Sequence, residues 1–164
     1  MDAINFNMAG VSSYKPMKTE IGFYGKHSIV EDETSLSMAT LVAEQAILKS
    51  GWQKSDIDMI ISACAVSPQP IPSFSVQIQH SLGIDSIPCF DVNSTCLSFL
   101  NALDVAMLYL ASKRAKRILI VSSEVASSAL DKSKPKISDL FGDGASAICI
   151  EDKPVSQYLF HKME

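Results

Sequence analysis

The stretch IPCFDVNSTCLSFLNAL, residues 87–103, joins a strand pattern to a helix pattern through a short turn that carries a cysteine. Its first six residues are mostly apolar, and from Leu97 onward apolar residues recur at helical spacing. We predict a helix over residues 95–112, with Cys96 in its first turn. Backbone N–H groups and the helix dipole favour a thiolate there, but a single cysteine at such a turn is more often structural. On the residues alone, both interpretations stay open.

The rest of the chain alternates strand and helix patterns around this stretch. A helix is predicted over residues 35–50, closed by Gly51, and a short helix over residues 74–82, which Ser73 can cap. Apolar runs of strand length are DMIISACAV (58–66), IPCFDV (87–92), RILIVSS (117–123) and FGDGASAICIED (141–152), with weaker patterns in INFNMAGVSS (4–13) and VSQYLF (155–160). This order predicts an α/β domain whose parallel sheet is covered by helices on both faces, with Cys96 at the carboxyl edge, where such proteins bind ligands.

Composition excludes several classes of function. The chain has 164 residues, of which 47% are hydrophobic and 20% charged, as in an ordinary globular protein. A formal net charge of -4 offers no basic surface for nucleic acid. No apolar run reaches the ~18 residues of a membrane helix and no signal peptide is evident, so we expect a cytoplasmic protein with no membrane partner. The basic run SKRAKR (112–117) is interpreted as a solvated helix end rather than a docking patch for an acidic carrier.

The four cysteines do not have the spacing of a metal site. No C-x-x-C pair and no nearby His pair is present, so a metal site is not expected. No other cofactor is expected either. Cys64, Cys89 and Cys149 lie within apolar runs and are predicted to be buried packing residues. Cys96 is therefore the one candidate for chemistry.

Three segments together resemble the 3-oxoacyl-acyl carrier protein synthase III family of thiolase-like condensing enzymes. They are IPSFSVQIQHSLGI (71–84), FDVNSTCLSFLNAL (90–103) and FGDGASAICI (141–150), in the order and at the separations typical of the family. The resemblance covers nearly the whole chain. It implies a thiolase-like α/β fold with a central mixed sheet between helices. It also implies that residues 1–164 form the N-terminal domain of such a protein, with the C-terminal half absent.

The resemblance assigns roles to particular residues. Cys96 would be the nucleophile that accepts an acyl group as a thioester, and its backbone N–H would form half of an oxyanion hole. Ile71 matches a position that bounds the acyl pocket of a dimer partner, and Phe141 matches a pocket-lining position. The substrate-binding set is Ile71, Phe141, Gly142, Asp143 and Gly144. Without the resemblance, Ile71 and Phe141 could be core side chains, and the glycines could serve a tight turn with positive φ.

Three departures from the family pattern limit what the resemblance implies. Ser98 stands where the family usually has glycine, close to the nucleophile. A helical stretch whose Trp and Arg contact coenzyme A is missing, and Glu20 stands about where that Arg would be. The catalytic His and Asn belong to the absent half, and none of the three histidines substitutes for them; these are His27, His80 and His161.

These departures define the expected activity and partners. The chain is expected to accept an acyl group from an acyl thioester of acyl carrier protein or coenzyme A, but not to condense it efficiently. A second copy, or a second chain supplying the C-terminal half, is the expected protein partner. The alternative is a non-catalytic acyl-binding or scaffold subunit that pairs with a complete condensing enzyme.

Overall fold

The computed structural model describes residues 6–15, 18–19, 26–30, 32–128, 130–131, 133–134, 138 and 140–153. The strand predicted over residues 155–160 lies outside this part of the chain, as do Glu20 and His161. Within it, no helix is long and apolar enough to cross a lipid bilayer.

A five-stranded mixed sheet forms the centre of the fold. The described residues form these strands in chain order, five in the main sheet and two in a separate pair: β1 (Asn7–Tyr14), β2 (Lys18–Thr19), β3 (Lys26–His27), β4 (Met59–Ala63), β5 (Cys89–Val92), β6 (Arg117–Glu124) and β7 (Gly144–Glu151). The order in the main sheet is β1-β7-β6-β4-β5, and β2 and β3 pair separately. Strand β4 runs parallel to β5 and β6, whereas β7 runs antiparallel to β6 and β1. The apolar runs therefore predict the main strands. The parallel sheet predicted from their order is wrong, because β7 and β1 make the sheet mixed, as the resemblance implies.

Helices cover both faces of this sheet. They are α1 (Ser35–Ser50), α2 (Phe74–Ser81) and α3 (Ser98–Ala111). On one face, α1 and α2 bury Val42, Ala46 and Phe74 in a common apolar cluster with strand residues. On the other face, α3 packs Ala102 and Ala106 against β4 and β6. Since alanine has a short side chain, these positions let α3 approach the sheet closely.

The helix ends show where local patterns suffice and where they do not. The predicted span of α1 is confirmed, and Gly51 ends it with a φ of 75°. The predicted cap of α2 is wrong, because the Ser73 side chain makes no capping hydrogen bond. The Asp91 carboxylate instead accepts hydrogen bonds from the N–H groups of Phe74 and Ser75, each at 2.8 Å. This contact ties α2 to β5.

Three of the four cysteines lie in or beside the core. Cys64 and Cys149 are buried as predicted, whereas Cys89 is only half-buried, so its predicted burial is only partly right. Desolvation raises the pKa of the Cys64 and Cys89 thiols. It raises the pKa of Cys149 to about 11. At neutral pH these three thiols are held in the protonated, weakly nucleophilic form.

Basic residues of the run at 112–117 contact groups of the same chain. Lys113 forms an ion pair with Asp152 at 2.6 Å, and the Arg114 guanidinium lies 5.1 Å from the centre of the Tyr109 ring. Arg117, the first residue of β6, pairs with acidic side chains. These contacts favour the interpretation of the run as a solvated helix end.

Candidate functional site

The parallel strands and β7 direct the candidate residues to one edge of the sheet. The carboxyl ends of β4, β5 and β6 meet the amino end of β7 there. A cavity of about 440 Å³ opens at this edge, and Cys96 forms part of its wall. Phe99, Leu130 and Phe141 give the cavity a largely apolar lining. Such a cavity suits an apolar chain whose reactive end lies beside the thiol.

Cys96 lies in a 3₁₀ turn, Thr95–Leu97, that precedes α3. The predicted start of the helix at residue 95 is therefore wrong, since α3 begins at Ser98. Thr95 has a φ of 54°, in the left-handed region that a β-branched residue rarely adopts, and this interrupts the helix. Cys96 is exposed, in contrast to the three other cysteines.

The backbone donors on either side of Cys96 are engaged within the turn. Thr95 N–H donates to Asn93 Oδ1 at 3.2 Å, and Leu97 N–H donates to the Ser94 carbonyl at 3.1 Å. Ser94 N–H donates to Ser98 Oγ at 2.9 Å. No acceptor among the residues that the structure describes takes the Cys96 N–H. This N–H is therefore available to an oxygen atom bound beside the thiol.

A second loop is fixed against the cysteine turn. The Glu124 carboxylate, at the end of β6, accepts hydrogen bonds from Ala65 N–H and from Val66 N–H, the latter at 3.1 Å. Asn93 Nδ2 donates to the Ala65 carbonyl at 3.0 Å. The loop after β4 is thus held to both neighbouring strands, and it forms one wall of the cavity.

The segment 141–144, which leads into β7, forms another wall, and its glycines do not have a positive φ. Neither Gly142 nor Gly144 has a positive φ, so the tight-turn interpretation of these residues is wrong. A Cβ on Gly142 would lie 2.9 Å from the His27 carbonyl oxygen. Gly142 is therefore needed for close approach of the backbone.

Asp143 is buried and serves as an acceptor for neighbouring segments. Its carboxylate accepts from Ile29 N–H at 2.9 Å, from Ser127 N–H at 2.9 Å and from Ser127 Oγ–H at 2.6 Å. These hydrogen bonds hold the segment 141–144 in place beside the cavity.

The candidate residues are only partly gathered around Cys96. Phe141 and Gly142 line the Cys96 cavity. Asp143 and Gly144 line a neighbouring cleft of about 460 Å³ instead. Ile71 is 84% exposed and lies outside the cavity.

The described residues that line this cavity include no histidine. Neither His27 nor His80 lines it. No group of three or more His, Cys, Asp or Glu residues in the described part of the chain could hold a metal ion.

Sequence reasoning missed the residues that support the turn. The hydrogen bonds described above are made by Asn93, Ser98 and Glu124. Of these, the sequence singled out only Ser98, because it stands where the family usually has glycine. A signal was available, because Asn two residues before Thr95 and Glu directly after an apolar strand are typical of side chains that bind backbone groups.

Comparison with known proteins gives consistent matches. The profile of a family described as 3-oxoacyl-[acyl-carrier-protein (ACP)] synthase III matches residues 90–163. The beta-ketoacyl-[acyl-carrier-protein] synthase III of Brucella anthropi is 36% identical over 130 residues, which are 79% of this chain and 40% of the relative. That of Bartonella bacilliformis is 37% identical over 134 residues, 82% of this chain and 41% of the relative.

Solved structures of such enzymes superpose on the chain. The 3-oxoacyl-[acyl-carrier-protein] synthase III of Aquifex aeolicus gives a TM-score of 0.83 at 26% identity, over 90% of this chain and 54% of that one. The priming beta-ketosynthase of the R1128 polyketide pathway gives 0.83 at 26% identity, over 92% and 51%.

The fold is therefore that of the thiolase-like condensing enzymes. Within that class, the chain belongs to the 3-oxoacyl-[acyl-carrier-protein] synthase III family. It spans about 40% of the length of the curated relatives that it matches.

Proposed function

We propose that this chain is an acyltransferase of the 3-oxoacyl-acyl carrier protein synthase III type, in which Cys96 accepts an acyl group as a thioester. One observation carries the proposal: Cys96 is exposed at a largely apolar cavity, and its own N–H has no acceptor in the described residues. A nucleophile and an oxyanion donor on the same residue are what acyl transfer requires.

The reaction is an exchange between two thioesters. The Cys96 thiolate attacks the carbonyl carbon of the donor thioester, and the Cys96 N–H stabilises the charge that develops on the carbonyl oxygen. The bond from carbon to the donor sulfur then breaks, and the donor leaves as a thiolate that takes a proton from water. The acyl group is conserved throughout, so no oxidant, reductant or cofactor is consumed.

The acyl chain occupies the cavity in this proposal. Phe99, Leu130 and Phe141 supply apolar surface for it, and Gly142 lies at the same wall. Ile71, on an exposed loop, contributes to the corresponding cavity of a second copy. Asp143 and Gly144 do not contact the acyl chain in this proposal. The Asp143 carboxylate accepts hydrogen bonds from backbone and hydroxyl groups of neighbouring segments and so supports the cavity wall.

Condensation of the acyl group with a malonyl thioester is the second reaction of a synthase III enzyme. Decarboxylation of malonyl thioester develops enolate charge, which needs further donors beside the acylated cysteine. Neither described histidine lines the Cys96 cavity. We propose that residues 1–164 acylate by themselves and condense efficiently only with a C-terminal half, in the same protein or in a partner chain.

The test measures acylation and condensation separately. The 164-residue chain is incubated with an acyl-coenzyme A or an acyl carrier protein thioester, followed by intact-mass measurement, and then with malonyl carrier protein. We expect one acyl group per chain from at least one donor and little 3-oxoacyl product. Cys96→Ser is expected to abolish acylation, and Cys89→Ser, the matched control, to retain it. A chain that binds acyl thioesters without forming an acyl-enzyme would instead be a non-catalytic subunit.

A further inference from the structure

The Ser98 side chain closes the turn that carries Cys96. Ser98 is 3% exposed, and its hydroxyl accepts the Ser94 N–H at 2.9 Å while donating to the Thr95 carbonyl at 2.7 Å. Both bonds span the 3₁₀ turn, because their backbone groups belong to Ser94 and Thr95, before Cys96, and the hydroxyl belongs to Ser98, after it. A bridge of this kind fixes the backbone conformation on both sides of the cysteine.

The bridge compensates for an unfavourable backbone conformation. Thr95 has a φ of 54°, which is costly for a β-branched residue and persists only where the surroundings enforce it. Thr95 contributes the carbonyl that Ser98 binds, and Asn93 Oδ1 binds its N–H. The two side chains together hold Thr95 in the left-handed region.

The hydrogen bonds also determine which donor stays available. The Asn93 side chain accepts the Thr95 N–H, and the Ser98 hydroxyl accepts the Ser94 N–H. The Leu97 N–H donates to the Ser94 carbonyl oxygen. Among residues 94–97, the N–H of Cys96 is the one for which no described residue supplies an acceptor. The direction of this N–H is therefore set by hydrogen bonds within the turn. Ser98 also lines the cavity, but both hydrogen bonds of its hydroxyl are to backbone groups of the turn.

We propose that Ser98 is a positioning residue that holds the Cys96 N–H in the direction needed to bind the carbonyl oxygen of the acyl donor. This inference rests on the proposed function of Cys96 and adds to it a group that acts through the backbone. Loss of the hydroxyl releases the turn, and the N–H then spends less time in line with the developing negative charge.

Two reactions of the same thiol separate positioning from general damage. Acyl transfer from a thioester develops negative charge on an oxygen atom, whereas alkylation by iodoacetamide, a displacement at saturated carbon, does not. For Ser98→Ala we expect the acylation rate to fall by about tenfold or more and the alkylation rate to change by less than about twofold. Ser112→Ala, which removes a similar hydroxyl-to-carbonyl bond at the other end of α3, is the control and should change neither rate.

The outcomes are distinguishable. Equal losses in both reactions, or no loss in acylation, would overturn the positioning role. Ser98→Thr keeps the hydroxyl and is expected to restore acylation; if Ser98→Ala does not fold, Ser98→Gly deletes the same hydroxyl. Amide hydrogen exchange at Ser94 gives a readout without acylation, and we expect it to accelerate in Ser98→Ala. If the unsubstituted chain is not acylated, the proposed function fails, and unchanged Ser94 exchange would separately refute the bridge.

Discussion

Asn93 Nδ2 donates a hydrogen bond to the Ala65 carbonyl oxygen at 3.0 Å, and this bond joins the loop that carries Cys96 to the loop after β4. The same Asn93 side chain accepts the Thr95 N–H through Oδ1. One amide therefore fixes the cavity wall and the cysteine turn with respect to each other.

Loss of this amide should impair acylation through the geometry of the cavity. We expect Asn93→Ala to lower the rate of Cys96 acylation about tenfold, with loss of thermal stability equivalent to about 1 kcal/mol for the deleted hydrogen bonds. Asn101→Ala, on the exposed side of α3, is the matched control. An unchanged acylation rate in Asn93→Ala would show that the two loops do not need this connection.

Asp143 should matter for stability more than for recognition. Its carboxylate serves three donors from Ile29 and Ser127, and it is 6% exposed. Asp143→Ala leaves the partly buried donors of Ile29 and Ser127 without this acceptor, so we expect a loss of about 2–4 kcal/mol in the free energy of unfolding. Urea denaturation measures it, and Asp131→Ala, in an exposed turn, is the control. A loss below about 0.5 kcal/mol would contradict the described role.

Stability should fall in the alkaline range because of the buried thiols. Burial raises the pKa of Cys149 from its usual 9.0 to about 11 in the folded chain. The unfolded chain therefore loses its proton first as the pH rises, and stability that is present below pH 9 is lost progressively toward pH 11. The shift corresponds to about 3 kcal/mol for this group. Cys64 and Tyr14, whose pKa values are raised by burial and by the hydrogen bond to Glu33 respectively, act in the same direction.

Replacement of the thiol isolates the contribution of Cys149. We expect the decline of unfolding free energy between pH 9 and pH 11, measured by urea denaturation with a reductant present, to become shallower in Cys149→Ala. Ile150→Val should lower the stability by a similar amount at every pH. An unchanged slope in Cys149→Ala would mean that this thiol ionises in the folded chain as readily as in the unfolded one.

The sequence predicted most of the elements because their signals are local. The span of α1 follows from apolar spacing and Gly51, and the strands follow from apolar runs. The features that the sequence did not predict depend on distant partners. Asp91 caps α2 from a strand 17 residues away along the chain, and nothing in the sequence near Ser73 indicates this contact. The start of α3 was also missed, because the Ser98 hydroxyl and the left-handed Thr95 replace the expected first turn.

The sequence predicted the location of the candidate site but not the contacts among its residues. The carboxyl edge and the exposed Cys96 follow from a strand, a turn and a helix in order. The role of Asp143 required knowledge that Ile29 and Ser127 meet it, which no spacing along the chain encodes.

Exposed apolar side chains predict self-association. Leu97, Leu100 and Leu108 are each more than half exposed, and Ile71 is 84% exposed. Apolar surface of this kind usually forms an interface, and we expect a second copy of the chain to cover it. Light scattering over a tenfold dilution range should give a dimer or higher assembly. Ile71→Asp should weaken it, whereas Leu48→Asp, at a position 79% exposed on α1, should not. A monomer at every concentration would contradict this expectation.

The central claim is that Cys96 is the acyl-accepting nucleophile, and peptide mapping after incubation of the folded chain with an acyl thioester tests it most directly. We expect a single thioester on the peptide that contains Cys96, because this thiol is exposed while burial raises the pKa of Cys64, Cys89 and Cys149. Those three should react only after unfolding. Cys96→Ser should remove the modification while the chain stays folded. Equal modification of all four cysteines, or an unmodified Cys96, would contradict the account.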